Sequence, residues 1–164
     1  MLEFIPNLLS HKDIEKFVAV SDQYRTKHNY TPLPVELIKI KEAVESLIDI
    51  NYNQFYWTIE CRPRGCEWHY DGCKTDFSPN HMGWCNYSAV MLLTPPENFE
   101  GGEYQYVDKD HTKENPNILK DDHYGSLLVY SGAADNDPLL HRATPHTGGE
   151  RWMFLMFMDG KEKV

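Results

Sequence analysis

The sequence has no apolar run approaching the ~20 residues that cross a bilayer. It opens on MLEFIPNLLSHKD, without the basic flank and small-residue cleavage site of a secretory leader. A cytoplasmic protein with no membrane partner is expected. Positive charge is scarce as well: 16 Lys and Arg against 25 Asp and Glu give a formal charge of −9. Broad nucleic-acid binding needs a concentrated basic face, so none is expected. The four cysteines, Cys61, Cys66, Cys73 and Cys85, include no CxxC pair. Thiolate zinc sites bring their ligands in close pairs, so the four read as free thiols in a reducing compartment. There is no GxxxxGK[ST], no GxGxxG and no GxSxG. Nucleotide hydrolysis, NAD chemistry and serine hydrolysis therefore have no support.

What is present fits a single domain over residues 1–164, with no linker, repeat or low-complexity stretch. Ser10 can cap a helix, with Asp13 in its first turn. Ile14, Phe17, Val18, Ser21 and Tyr24 then recur at helical spacing. A second helix is expected from Pro34, a good first-turn residue, with Leu37, Ile40, Val44, Leu47 and Ile48 as its apolar stripe. From Gln54 the pattern changes to short aromatic and β-branched runs: QFYWTIEC, EWHYD, NYSAVMLLT, GEYQYV, GSLLVYS and ERWMFLMFM. Leu2–Ile5 and Leu139–His141 add candidates. Residues 73–86 and 108–123 read as long loops, the best candidates for substrate contact. The fold class expected is mainly β with N-terminal helices (α+β), a sandwich or jelly roll with two helices against the outside of a sheet.

In EWHYD, His69 and Asp71 are two apart, so on a strand they share a face while Trp68 and Tyr70 turn into packing. An imidazole and a carboxylate side by side can chelate a divalent metal, although HxD also occurs as a simple hydrogen-bonded pair. His141, at the end of an apolar stretch, offers a second imidazole. Two histidines and one carboxylate cover one face of an octahedron and leave the other open, the donor set of non-haem Fe(II) oxygenases. Arg151 follows ten residues later. Its planar fork suits a carboxylate, and a salt bridge to a protein acid is the competing use. His146 is a second candidate ligand, but it reads better as a solvated loop histidine. His81 and Cys85, flanking MGW, read as packing in a loop over a site mouth rather than as a second metal site, and Trp84 could meet substrate.

Taken in order, His69-Tyr70-Asp71, FEGGEYQY (Phe99–Tyr106), GSLLVYS (Gly125–Ser131) and LHRATPHTGGER (Leu140–Arg151) resemble the 2-oxoglutarate- and Fe(II)-dependent dioxygenases, specifically their prolyl 4-hydroxylase-like branch. FIPNLLSHKDIEKF resembles their usual start. The resemblance implies a double-stranded β-helix backed by the two helices. It implies Fe(II) held by His69, Asp71 and His141, and 2-oxoglutarate held by Arg151. The activity implied is hydroxylation of an organic substrate by O2, coupled to decarboxylation of 2-oxoglutarate to succinate and CO2. Ascorbate is implied as an accessory reductant. The substrate implied is a prolyl residue in a protein or peptide, with a free amino acid or other small molecule as the alternative. One departure stands out: the tyrosine that helps hold 2-oxoglutarate in many such proteins falls near Leu92 here. Tyr56, Thr58 and Tyr87 are the candidate replacements. A cupin-like metal-binding protein is the reading from another class, but cupins bring an HxH pair and a Glu.

Overall fold

The computed structural model describes all 164 residues. A short strand β1 (Leu2–Ile5) leads into helix α1 (His11–Val18). Ser10 Oγ accepts from the Asp13 amide and the Asp13 carboxylate accepts from the Ser10 amide. This reciprocal cap satisfies two otherwise free amides and contributes about 1 kcal/mol. Ile14 and Phe17 are buried beneath the helix, whereas Val18, expected on the same stripe, is exposed. Ser21 and Tyr24 lie in a separate 3-10 turn, Ser21–Tyr24. The second helix does not start at Pro34. A 3-10 turn at Val35–Leu37 comes first, and α2 runs Ile38–Leu47. Leu37, Ile40, Val44 and Ile48 are nonetheless wholly buried.

The strands then follow: β2 (Ile48–Cys61), β3 (Cys66–His69), β4 (Tyr87–Leu92), β5 (Glu100–Gly101), β6 (Tyr104–Val107), β7 (Asn117–Leu119), β8 (Leu127–Ser131), β9 (Leu140–Ala143), β10 (His146–Thr147) and β11 (Trp152–Glu162). The structure is mainly β and its strand pairs are antiparallel. A five-stranded sheet has the order β1-β8-β4-β11-β2, a four-stranded sheet β3-β9-β6-β7, and β10 pairs with β5. The segment 108–123 is therefore not all loop. It holds β7 and a 3-10 turn at Asp121–His123.

Strand alternation divides the core in two. Trp57, Ala89, Met91, Val129, Phe154 and Met156 face α1 and α2. Val90, Leu92, Leu128, Tyr130 and Met153 face the four-stranded sheet, where Tyr104, Tyr106, Leu119 and Leu139 meet them. Strands β4 and β8 are buried on both faces, which is why they read as unbroken apolar runs. Each large apolar side chain so buried contributes about 1.5–3 kcal/mol. No helix is long and apolar enough to cross a membrane.

Candidate metal centre and active-site cavity

His69 ends β3 and His141 lies on β9, and the two are direct partners in that antiparallel pair. Their ring centroids are 4.2 Å apart. Asp71 follows β3 on a tight passage through Gly72, whose amide donates to Gly132 O at 2.8 Å. A Cβ at residue 72 would stand 2.3 Å from Cys85 O. Only glycine permits that approach, and it sets Asp71 between the sheets. The Nε2 atoms of His69 and His141 each lie 3.3 Å from Asp71 Oδ1, so one donor atom from each residue converges on a single point.

The ring orientations are fixed from behind. His69 Nδ1 meets Glu67 O at 2.7 Å and His141 Nδ1 meets Leu139 O at 2.8 Å. A carbonyl only accepts, so each Nδ1 carries a proton and each Nε2 is the ring atom directed inward. Burial works against a charge on His69. Hydrogen bonding to Asp71 and Cys66 outweighs burial and pushes the ring up to about 10. Burial alone would raise Asp71, but the His141 and His69 rings hold its carboxyl well below the ordinary range. The cluster thus favours a positive charge at its centre. Asp71 Oδ2 accepts hydroxyl hydrogen bonds from Ser88 at 2.7 Å and Tyr130 at 2.9 Å. Two imidazoles, which a bound cation would hold neutral by displacing the Nε2 proton, and one carboxylate oxygen backed by hydrogen bonds fit a divalent transition metal.

The centre opens into a cavity of about 390 Å³. Met153, Leu155 and Phe157, the sheet-facing residues of β11 opposite those packed on the helices, form part of its wall. Arg151, just before β11, lines it while only 4% exposed. Its Nε has no hydrogen-bond partner, and no carboxylate pairs with it, so the salt-bridge use of Arg151 does not occur. Tyr104 also lines the cavity. Its ring stacks on His141 with centroids 5.4 Å and planes 17° apart, and its buried Oη has no partner. Burial holds the Tyr104 phenol well above its usual pKa, so it stays a hydroxyl that can donate. A buried guanidinium and a buried hydroxyl, both unmatched by protein, suit an anionic ligand.

The other candidates divide. Thr58 lines the cavity, with its hydroxyl 3.0 Å from Glu60 Oε1. Tyr56 lines it too, its hydroxyl directed at Met82 Sδ. Tyr87 does not. It is on the opposite face of β4 from Ser88, in the core beneath the helices, because successive strand residues alternate faces. Leu92 packs between the sheets. His146 is not a solvated loop residue: β10 buries it, 4% exposed, with Nε2 3.7 Å from Cys61 Sγ. Burial and Arg151 together push its pKa down, and it is not one of the three converging donors. Tyr70 lines the cavity and stacks on Phe77 rather than packing inward, while Trp68 lies under Arg142. Cys85 is buried, with Sγ donating to Tyr87 O, and His81 is exposed at the rim. Trp84 packs edge-on against Tyr56. All four cysteines are free.

Sequence reasoning missed Tyr104, Tyr130 and Ser88. GEYQYV offers two tyrosines on one strand face, and nothing in the string separates Tyr104 from Tyr106. Ser88 and Tyr130 are polar interruptions in the doubly buried strands β4 and β8. That is the one signal that could have marked them, since a buried hydroxyl needs a partner.

Against known proteins, no family model matches the chain. A PKHD-type hydroxylase of Hyphomonas neptunium is 32% identical over 78 residues, which is 46% of this chain and 30% of that protein. The chain therefore aligns with under a third of that curated relative. Among solved structures, a Pseudomonas putida prolyl-4-hydroxylase superposes with a TM-score of 0.63 at 15% identity, covering 98% of this chain and 92% of that one. The viral collagen prolyl hydroxylase of Paramecium Bursaria Chlorella virus-1 gives 0.66 at 17% identity, covering 99% and 90%. HygX from Streptomyces hygroscopicus, solved with nickel, 2-oxoglutarate and hygromycin B bound, gives 0.59 at 14% identity, covering 96% and 82%. The fold is the one these proteins share. In fold the chain is similar to these hydroxylases, and over 78 residues its sequence is similar to the PKHD-type hydroxylase.

Proposed function

We propose that this protein is an Fe(II)- and 2-oxoglutarate-dependent dioxygenase that hydroxylates an organic substrate, built on a double-stranded β-helix backed by two helices. The observation that carries this reading is the convergence of His69, Asp71 and His141 on one point, in a cavity that also holds an unpaired, buried Arg151. A structural metal would be enclosed by four protein ligands, whereas three donors beside a cavity leave positions for exogenous ligands. A cupin-like reading gives no use for a buried cation that lacks an acidic partner.

In this reading His69, Asp71 and His141 hold Fe(II). Bound iron would supply the redox chemistry that couples 2-oxoglutarate decarboxylation to hydroxylation, and the three protein donors would leave room beside it for exogenous ligands. Arg151 grips the distal carboxylate with its planar fork, and Tyr104 Oη donates a further hydrogen bond to the same group. Thr58 is the remaining co-substrate contact on β2. Apolar walls from Met153, Leu155 and Phe157 keep water away and strengthen these charged contacts. The rim formed by His28, Tyr56, Tyr70, His81 and Met82 admits the substrate. The proposed substrate is a prolyl residue in a protein or peptide, with a free amino acid or other small molecule as the alternative. The four free thiols accord with a cytoplasmic location.

The test is succinate release with Fe(II), 2-oxoglutarate and ascorbate, across a panel of prolyl peptides and free amino acids. Stimulated succinate formation that disappears in Asp71→Ala supports the reading. Full activity in that variant would remove Asp71 from the site.

A further inference from the structure

Asp71 has two carboxylate oxygens, and they have different surroundings. Oδ1 faces both imidazoles at 3.3 Å. Oδ2 accepts from Ser88 Oγ at 2.7 Å and from Tyr130 Oη at 2.9 Å. A carboxylate oxygen has two lone-pair directions, and on Oδ2 both are taken. The two donors come from adjacent strands of the five-stranded sheet, β4 and β8, where Ser88 is the direct partner of Tyr130. Ser88 is 0% exposed and Tyr130 1%, so both hydroxyls are held within the protein and directed at the carboxylate. Tyr130 Oη also lies 3.4 Å from His141 Nε2, which sets the phenol at the edge of the metal position.

We infer that Ser88 and Tyr130 are positioning residues that clamp Asp71 Oδ2 and confine the carboxylate to single-oxygen coordination. The inference rests on the metal-site reading above and deepens it. An unclamped aspartate could turn both oxygens to the metal and occupy a position that exogenous ligands need. The clamp keeps the protein's contribution at three donor atoms and leaves the open face intact. It also fixes the direction of Oδ1 on a residue that lies beyond the end of β3.

The experiment is a titration of metal-free protein with Co(II), followed by 2-oxoglutarate, reading affinity and the d–d absorption. Wild type is compared with Tyr130→Phe, Ser88→Ala and Ser88→Thr. Loss of an outer hydrogen bond to a metal ligand costs roughly ten- to a hundredfold in affinity, and that drop is expected in Tyr130→Phe and Ser88→Ala. Their d–d bands should also shift as Oδ2 enters coordination, while Ser88→Thr, which keeps the hydroxyl, retains the wild-type affinity and spectrum. A residue serving only to pack the sheets would move the melting temperature of the metal-free protein and leave the Co(II) spectrum alone. Unchanged affinity and spectrum in both Tyr130→Phe and Ser88→Ala overturn the clamp. If those variants behave as expected but 2-oxoglutarate leaves the wild-type Co(II) spectrum unmoved, the clamp stands and the oxygenase reading fails. If wild type takes up no Co(II), both fail.

Discussion

Arg151 lies against Gly102 so closely that a Cβ at residue 102 would stand 2.6 Å from Arg151 Cδ and 3.1 Å from its Nε. Gly102 also has φ +65°, a conformation that costs an L residue about 1–2 kcal/mol. The second glycine of the turn before β6 is therefore a seat for the guanidinium. Gly102→Ala should push Arg151 out of line and weaken 2-oxoglutarate binding while metal binding persists. Calorimetric titration of the Co(II)-loaded variant with 2-oxoglutarate measures this. Wild-type affinity would mean the guanidinium tolerates displacement.

Arg151 and Tyr104 should contribute unequally to that binding. A hydrogen bond to a charged group is worth about 1.5–3 kcal/mol, so Arg151→Ala should raise the 2-oxoglutarate requirement roughly ten- to a hundredfold or more. Tyr104→Phe removes one donor and keeps the ring stacked on His141. Its effect should be about tenfold, with iron content unchanged. A normal requirement in Tyr104→Phe would return the role to Thr58 or Tyr56.

Alanine variants of His141 and His146 should part company in iron content. His141 presents Nε2 to the cluster, while His146 presents Nε2 to Cys61. Loss of iron is expected in His141→Ala and retention in His146→Ala, read by metal analysis after anaerobic reconstitution. The opposite pattern would reverse the assignment.

His123 supplies a pH dependence of stability away from the metal ligands. It is wholly buried, with Nε2 donating to Val90 O at 3.2 Å and Nδ1 unpartnered. Burial pushes its pKa down from 6.5 to about 4, with Arg151 adding to the shift. The folded state thus prefers the neutral ring. Its contribution is full above pH 6.5 and is lost as the pH falls toward 4, a change on the order of 3 kcal/mol. In denaturant unfolding of metal-free protein, His123→Gln should show a flatter decline than wild type over that window. Parallel curves would mean the ring charges without unfolding cost.

The order of helices and strands was legible because burial follows simple periods. Ser10 and Asp13 marked the first cap, and the apolar runs of β4, β8 and β11 marked the sheet. The first half of β2 was not legible, since DINYN is largely polar and only Asp49, Ile50 and Asn51 pair with the tail of β11, before a break in register. Segment β7 failed for the same reason: Asn117 pairs with Tyr106 within a polar stretch. At the candidate site, residue type and spacing marked His69, Asp71, His141 and Arg151, and the structure brings all four to one cavity. His146 looked like part of a turn, TPHTGG, because its burial depends on a two-residue pairing with Gly101 and Glu100. Tyr87 was misassigned because a strand residue one position from Ser88 points to the other side of the sheet.

The most direct measurement is the visible spectrum of anaerobic protein with Fe(II) before and after 2-oxoglutarate. An open face on a three-donor iron site should let the keto acid chelate, and a weak visible charge-transfer band should grow to saturation with one equivalent of co-substrate. No band at saturating 2-oxoglutarate, with iron demonstrably bound, would contradict the account.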